Sequence, residues 1–243
     1  MLTDERKNEL RENYSIVLKR IEAAKEKRGG DAPVTLLAAS KTMPAEDTVF
    51  LARECGMTLC GENHAQEFRD KFAEVTAAGC RMDFIGHLQK NKVKYVVGKA
   101  GLIHSVDSLE IAEEIDRQAA RLGLIQPVLI EVNIGGEESK TGINSSLLPE
   151  LYEKMSCFHS LEVRGMMAMT PKCEKNEENR KYFRESYEIF LDIFVKKSHN
   201  IKESILSMGM SDSFEVAIEE GATLVRVGTS IFGRRDYGAK LSE

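Results

Sequence analysis

Two short stretches near the C-terminus place glycine and hydroxyl side chains at the ends of apolar, strand-like runs. They are Leu206-Ser-Met-Gly-Met-Ser-Asp212 and Val225-Arg-Val-Gly-Thr-Ser230. In a (β/α)8 barrel, strands 7 and 8 end where backbone amides and hydroxyls often converge on a phosphate group. Serine and glycine at one strand end are often only a turn, but two such clusters on successive strands are more specific. The sequence therefore predicts a phosphate site, with these candidate ligands: Ser207, Gly209, Ser211, Gly228 and Thr229.

Lys41 is the next residue whose type and place indicate chemistry, because it ends the apolar run Leu36-Leu-Ala-Ala-Ser40. In a strand it points to the same side as Leu37 and Ala39. If that side is a barrel interior, an ammonium group is costly there unless it is paired or used. Desolvation favours the neutral amine, which condenses with aldehydes. The alternative is a lysine whose ammonium group reaches solvent at the barrel rim.

A phosphate site that faces a buried amine favours a ligand that is both a phosphate ester and an aldehyde. Pyridoxal phosphate (PLP) is the leading candidate. Arg226 points inward from the last predicted strand by the same alternation, and an inward arginine needs an acceptor such as a carboxylate or a ring nitrogen. After the second predicted strand, Asn63 and His64 could reach the ligand. Alternatively Glu62 and Asn63 cap the next helix, a role that suits Glu62 better.

The composition argues against several classes of protein. The 243 residues carry a formal net charge of −5 and have a pI near 5.7, unlike a general nucleic-acid-binding protein. The N-terminus has no apolar signal core, and no apolar run approaches the about 18 residues of a membrane span. The five cysteines form no CxxC pair, and the five histidines lack metal-ligand spacing. We therefore expect a cytoplasmic chain with no metal, nucleic-acid or membrane partner.

Strand and helix signals alternate without a break after a helix that is predicted over residues 4–28. The predicted strands are Val34–Ser40, Met57–Gly61, Asp83–Gly86, Leu102–Val106, Pro127–Ile134, Leu161–Met169, Ile205–Met208 and Leu224–Gly228. Eight such units favour a closed parallel barrel over a doubly wound sheet. We predict one α/β domain over residues 1–243, a (β/α)8 TIM-type barrel with an extra N-terminal helix. The Gly135–Gly142 connection lies at its carboxyl-terminal rim and is either a lid or a solvated loop.

Motifs spread along nearly the whole chain resemble those of one family, the pyridoxal phosphate homeostasis proteins, which are related to the barrel domain of bacterial alanine racemases. The matching segments include Ala39-Ser-Lys-Thr42, Gly61-Glu-Asn63, Phe84-Ile-Gly86, His104-Ser-Val-Asp107, Glu138-Ser-Lys140, Arg164-Gly165, Leu206–Asp212 and Val225-Arg226 with Gly228-Thr229. The last two are long and specific.

The resemblance implies a role for each matching residue. Lys41 would form the internal aldimine, a Schiff base with PLP, Asn63 would lie near the cofactor ring, and Arg226 would face the pyridine nitrogen. The phosphate would be held by Ser207, Gly228 and Thr229, with Gly209 and Ser211 as further candidates. Three positions depart from the family pattern: His64 replaces a usual tyrosine, Asp83 a common histidine, and Ser213 a frequent aspartate.

The function expected from the resemblance is that of a non-catalytic PLP carrier involved in the cellular supply of the cofactor, with PLP-dependent enzymes as its recipients. The main alternative is a PLP-dependent amino acid racemase. Racemisation needs two bases on opposite faces of the substrate, and in the related racemases an additional β domain supplies the second. Because the chain ends about ten residues after the loop that follows the last predicted strand, we expect that domain to be absent and the protein to be a monomer. Another alternative is a cofactor-free aldolase that acts on a sugar phosphate through Lys41.

Overall fold

The strands close into an eight-stranded parallel barrel. The computed structural model describes residues 2–30, 32–137, 140–171, 173, 175–196 and 204–233. The strands are β1 (Thr35–Ala39), β2 (Leu59–Glu62), β3 (Arg81–Phe84), β4 (Ile103–Val106), β5 (Gln126–Asn133), β6 (Ile143–Asn144), β7 (Leu161–Met169), β8 (Ile205–Ser207) and β9 (Leu224–Val227). Each strand of the barrel pairs in parallel with its neighbours, and β1 pairs with β9 to close it. The two-residue β6 pairs with the end of β5, outside the ring of eight.

Helices cover the outside of the barrel. They are α1 (Asp4–Arg28), α2 (Ala45–Cys55), α3 (Ala65–Ala77), α4 (Val93–Val96), α5 (Leu109–Leu122), α6 (Leu148–Met155), α7 (Arg180–Phe190), α8 (Phe214–Glu219) and α9 (Thr229–Phe232). Short 3-10 segments lie at Lys90–Lys92, Ser145–Leu147 and Asn176–Asn179, and a π-helical turn lies at Leu191–Val195. None of the described helices is both long and apolar enough to cross a membrane.

The extra helix α1 packs against α2, α8 and α9. Its buried residues recur at three- and four-residue spacing, as an amphipathic helix requires. They are Leu10, Tyr14, Val17, Ile21 and Ala24. Because α9 follows the last barrel strand and α2 follows the first, α1 connects the first and last strand–helix units on the outside of the barrel.

The barrel strands carry two different faces. Their outward side chains join the helices in one large apolar core, which includes Ala38, Cys60 and Val225. The inward side chains form smaller apolar groups, one of them around Leu37 and Leu224. Polar and charged side chains are also buried in the barrel, namely Asp83, His104, Ser207 and Arg226. The interior is therefore not purely apolar, and its polar residues need partners.

The predicted (β/α)8 barrel with an extra N-terminal helix is confirmed. Two strands differ from their predicted bounds by two residues: the second begins at Leu59 rather than Met57, and the third spans Arg81–Phe84, two residues before the predicted Asp83–Gly86. The ladder starts early because the Arg81 amide donates to Thr58, while the charged Arg81 side chain is half exposed at the strand's amino end. A charged first residue hid this start from an argument based on apolar runs.

Replacement of Arg6 by methionine is expected to destabilise the fold by about 1–3 kcal/mol, since it strands a buried acceptor. Nη2 of Arg6 donates to Oδ2 of Asp47 at 2.5 Å and to the Phe232 carbonyl at 2.9 Å, which ties α1 to α2 and α9. The Asp47 side chain is only 3% exposed.

Urea unfolding measures the change in the free energy of unfolding. The matched control is Lys7→Met, whose partner Asp4 is exposed, and it should stay within about 0.5 kcal/mol. Equal losses in the two variants would contradict this role of Arg6.

Candidate functional site

A cavity opens at the carboxyl ends of the barrel strands. Its volume of about 250 Å³ is near the lower end of the about 300–1,000 Å³ typical of small-molecule sites, so it suits one small ligand. It is lined by Ala39, Lys41, Met43, Asn63, Ile85, Met169, Met210, Ser211, Asp212, Arg226, Gly228, Thr229, Phe232 and Gly233. Six of the eight residues that the sequence offered as candidate ligands therefore line this one cavity.

The backbone around Lys41 is held from both sides. After β1, the Ser40 amide donates to the Gly61 carbonyl at 3.0 Å. The next residue but one, Thr42, has a φ of 66°, a left-handed conformation that is strained for a β-branched residue. Its amide donates to Oε2 of Glu67 at 2.8 Å. Lys41 is thus presented at a tight turn whose geometry α3 fixes.

A buried ion pair lies behind this turn. Oε1 of Glu62 accepts from the Ser40 hydroxyl at 2.7 Å and from Nζ of Lys71 at 2.9 Å. Lys71 also donates to the Ser40 carbonyl at 3.2 Å. Glu62 is fully buried, and burial raises its pKa although Lys71 opposes the shift. The expectation that Glu62 caps the next helix was wrong, because its carboxylate braces the strand end that precedes Lys41.

The wall formed by α9 carries amides and hydroxyls. Oγ of Ser211 accepts from the amides of Gly228 at 3.2 Å and Ser230 at 3.4 Å. Thr229 is the first residue of α9, so its amide belongs to the first turn, where a helix lacks internal acceptors. A Cβ on Gly228 would lie 3.0 Å from the Ala39 carbonyl oxygen, so glycine allows β9 to approach β1 closely here. This wall offers the donor types that an anion needs.

Ser207 and Gly209, which the sequence also offers as phosphate ligands, are not among the residues that line this cavity. Gly209 has a φ of 87° and packs on α8, where an added Cβ would lie 2.6 Å from the Ala217 Cβ. Ser207 is fully buried inside the barrel, and its hydroxyl contacts Arg226 and His104. Alternation along β8 turns Ser207 inward, whereas Ser211 follows in the loop and reaches the cavity wall.

Arg226 forms the floor of the cavity. Its Nη1 donates to Oγ of Ser207 at 2.7 Å, and its Nη2 contacts the Ala168 carbonyl at 3.4 Å and Sδ of Met169 at 3.6 Å. Burial lowers the pKa of Arg226 to about 10, against the favourable charge of Glu131. The side chain therefore remains a cation at neutral pH.

Asn63 lies where the cavity meets a neighbouring groove. Gly86 packs directly against its backbone. A Cβ on Gly86 would lie 2.1 Å from the Asn63 carbonyl oxygen, so only glycine allows this close approach. The groove is lined by Asn63, His64, Ala65, Gln66, His87, Gln89, Lys92 and Thr141. His64 thus faces the groove rather than the cavity, and it begins α3 without a capping side-chain hydrogen bond.

The Gly135–Gly142 connection is anchored near the same rim. Nδ2 of Asn133 donates to the carbonyls of Glu137 at 2.9 Å and Lys140 at 3.3 Å. Nζ of Lys140 donates to the Thr170 carbonyl at 2.8 Å. Residues 138–139 lie outside the described part of the chain. Whether this connection acts as a lid stays a prediction.

Comparisons with known proteins agree over most of the chain. The family described as "Alanine racemase, N-terminal domain" matches residues 8–236. A relative from Aquifex aeolicus, named pyridoxal phosphate homeostasis protein, is 45% identical over 227 residues, which cover 93% of this chain and 98% of the relative. An unknown protein from Bifidobacterium adolescentis has a TM-score of 0.83 at 33% identity, covering 96% of this chain and 98% of that one. PipY of Synechococcus elongatus PCC7942, solved with PLP bound, has a TM-score of 0.79 at 28% identity, covering 92% and 100%.

The Lys71→Met variant should be less stable than the parent by about 3–5 kcal/mol near pH 8, because it leaves the Glu62 carboxylate buried without its cation. The folded pKa of Glu62, already raised by burial, rises further without Lys71. A raised carboxyl pKa favours folding at low pH, and this stability is lost as the pH rises through the folded pKa. The deficit should therefore shrink on acidification and reach its minimum below about pH 4.3, the value of an unperturbed glutamate.

Urea unfolding of parent and Lys71→Met protein at several pH values measures this deficit. The matched control is the double variant Glu62→Gln/Lys71→Met, which keeps the methionine but removes the titrating carboxyl. Its deficit should be smaller and nearly independent of pH. A deficit in Lys71→Met that is equally large at pH 5 and pH 8 would show that the pair does not stabilise the turn electrostatically.

Proposed function

Because the chain belongs to the pyridoxal phosphate homeostasis proteins, within the alanine racemase N-terminal domain family, we propose that it binds PLP in the cavity and carries it without catalysing a reaction. The observation that carries this proposal is the joint presence of Lys41, Arg226 and the α9 wall around one small cavity. An amine, a buried cation and a set of anion-binding donors match the aldehyde, the ring nitrogen and the phosphate of PLP.

The residues present fit the three parts of the ligand. The phosphate would lie against Gly228 and Thr229 at the first turn of α9, and it would exchange with Ser211 Oγ as the acceptor of the Gly228 amide. Lys41 would carry the cofactor through a covalent bond between its Nζ and the aldehyde carbon. Asn63 would lie beside the ring. Because Ser207 and Gly209 do not line the cavity, neither belongs to this proposed ligand set.

The position of Arg226 supports carriage rather than catalysis. When bound, PLP supplies an electrophilic aldehyde and a pyridine ring that can withdraw electrons, most strongly when its nitrogen is protonated. A guanidinium group is a donor only, and a protonated ring nitrogen beside it would place two positive charges together. Arg226 would therefore keep the ring nitrogen unprotonated, which weakens electron withdrawal. Relatives named pyridoxal phosphate homeostasis proteins also support carriage of the cofactor.

We also propose which proteins receive the cofactor, and where and in what oligomeric state the carrier acts. PLP-dependent enzymes would receive the cofactor, and the carrier would act as a monomer in the cytoplasm. Support for recipients comes from chemistry alone, because a carrier needs an acceptor for what it binds. A cofactor-free aldolase would use the same lysine but would show no visible chromophore as purified, so one absorbance spectrum separates it from a PLP carrier.

Borohydride treatment of the purified protein should attach a pyridoxyl group to Lys41. Borohydride reduces the carbon–nitrogen double bond to the lysine and makes the attachment permanent, so peptide mapping identifies the residue. Lys41→Ala should lose the visible absorbance, whereas the control Lys90→Ala, at an exposed lysine that pairs with Glu110, should keep it. Finding the pyridoxyl group only on exposed lysines such as Lys90 would contradict the assignment.

The protein should not racemise amino acids at enzymatic rates. Among the described residues that line the cavity there is no tyrosine or histidine to serve as a base opposite Lys41, and the one carboxylate, Asp212, adjoins Ser211 at the phosphate wall. Incubation with single enantiomers of alanine, serine, glutamate and lysine should give no turnover above that of free PLP. Saturable, protein-dependent racemisation of any of them would replace the carrier proposal with its main rival.

A further inference from the structure

A chain of hydrogen-bonded side chains crosses the barrel interior behind the cavity. It starts at Arg226, whose Nη1 lies 2.7 Å from Oγ of Ser207. The same Oγ lies 3.2 Å from Nδ1 of His104, and Nε2 of His104 lies 3.2 Å from Oδ2 of Asp83. Asp83, His104 and Ser207 are all 0–1% exposed. Because water is excluded from them, their direct contacts must satisfy their hydrogen-bonding groups.

One placement of protons gives both the serine proton and the imidazole proton an acceptor within this chain. A guanidinium group donates and never accepts, so Ser207 Oγ accepts from Arg226. In this placement the serine proton is donated to an unprotonated Nδ1 of His104. The imidazole proton lies on Nε2 and is donated to the Asp83 carboxylate. Burial lowers the pKa of His104, which agrees with a neutral ring near pH 7.

At the far end of the chain the Asp83 carboxylate is paired with an arginine. Nε and Nη2 of Arg81 each lie 3.1 Å from a carboxylate oxygen of Asp83, the two-point geometry that arginine makes with a carboxylate. The charged groups that act on His104 are Asp83, Arg226 and Arg81. With Asp83 ionised and accepting only, the imidazole cannot exchange its two nitrogen roles without losing a hydrogen bond.

We propose that Ser207, His104 and Asp83 are positioning residues that fix the guanidinium of Arg226 toward the cofactor ring, and that the Ser207 side chain does not bind the phosphate. The inference rests on the proposed function, since it assigns these residues a role toward PLP. Nη1 and Nη2 of Arg226 are engaged by Ser207, Ala168 and Met169. No described residue accepts a hydrogen bond from its Nε, so that N–H is left for an acceptor on the ligand.

Comparison of PLP with pyridoxal, which lacks the phosphate, tests this assignment. If Ser207 acts through Arg226 at the ring, Ser207→Ala should weaken binding of both ligands by the same factor, about tenfold for a lost hydrogen bond to a charged group. The matched control is Thr229→Val at the phosphate wall. It should weaken PLP binding by about tenfold and leave pyridoxal binding unchanged. Dissociation constants are measured by absorbance or fluorescence titration of the ligand-free protein.

Two results of the titration would overturn the inference. A loss confined to PLP in Ser207→Ala would make Ser207 a phosphate ligand, as the sequence first indicated. Unchanged affinity for both ligands would show that the orientation of Arg226 does not depend on Ser207. If Ser207→Ala does not fold, Ser207→Thr, which keeps the hydroxyl, and Asp83→Asn take its place and should again change the two affinities by equal factors.

Nitrogen NMR of ¹⁵N-histidine-labelled protein tests the chain without any ligand. His104 should show a protonated Nε2 and an unprotonated Nδ1 at about pH 7, and Asp83→Asn should shift the tautomer balance because the amide can donate as well as accept. A protonated Nδ1 in the parent protein would overturn the proposed chain. Failure of the parent protein to bind either PLP or pyridoxal would instead contradict the proposed function, while the tautomer would still decide the positioning role.

Discussion

Burial of the Arg226 guanidinium inside a closed barrel is the constraint on which the site depends. A cation that is excluded from water costs several kcal/mol unless protein groups replace its hydration. In this chain the replacement comes from the two neighbouring strands β7 and β8, through the Ala168 carbonyl and the Met169 sulfur of β7 and the Ser207 hydroxyl of β8. Each of these groups is fixed by the register of the sheet, so the position of the charge is set by the barrel itself.

A buried ion pair supports the turn that carries Lys41. The pair between Glu62 and Lys71 lies outside the barrel, under α3, whereas Arg226 lies inside it. The turn that carries Lys41 is placed between these two charges, and the strained Thr42 is held there by Glu67. The distance between the amine and the guanidinium therefore depends on packed secondary structure rather than on mobile loops. Rigid support of this kind is what a site needs when one ligand must contact both groups.

Much of this arrangement follows from the sequence, because strand alternation is a strong signal. Apolar runs separated by helical stretches predicted the barrel, and the inward side of the first and last strands predicted Lys41 and Arg226. The phosphate site and the amine indicated PLP, the family motifs indicated the same ligand, and the comparisons confirm the family. Ser207 and Ser211 show where such reasoning stops. Ser207 ends β8 and Ser211 follows it four residues later with the same hydroxyl, but only the three-dimensional path of the chain shows that Ser207 turns into the barrel and Ser211 into the cavity wall.

Glu62 and Asp83 were harder to interpret for a related reason. A carboxylate in sequence has no visible partner, so helix capping and departure from a family pattern were the only available interpretations. The partners Lys71 and His104 come from other elements, and Arg81 lies two residues before Asp83 on the same strand. Asp83 also illustrates how one departure is accommodated: an aspartate at a position where a histidine is common in the family is matched by both an arginine and a histidine within hydrogen-bonding distance.

The serine hydroxyl at the entrance to α9 has a consequence for ligand release. Ser211 already satisfies the amides of Gly228 and Ser230, so an arriving phosphate would exchange with an internal acceptor rather than fill a set of bare donors. The net gain is then the difference between two sets of hydrogen bonds, which is smaller than either. When the ligand leaves, the serine can take its place and the short helix stays capped. Such an exchange would hold the phosphate less tightly than a set of unpaired donors would.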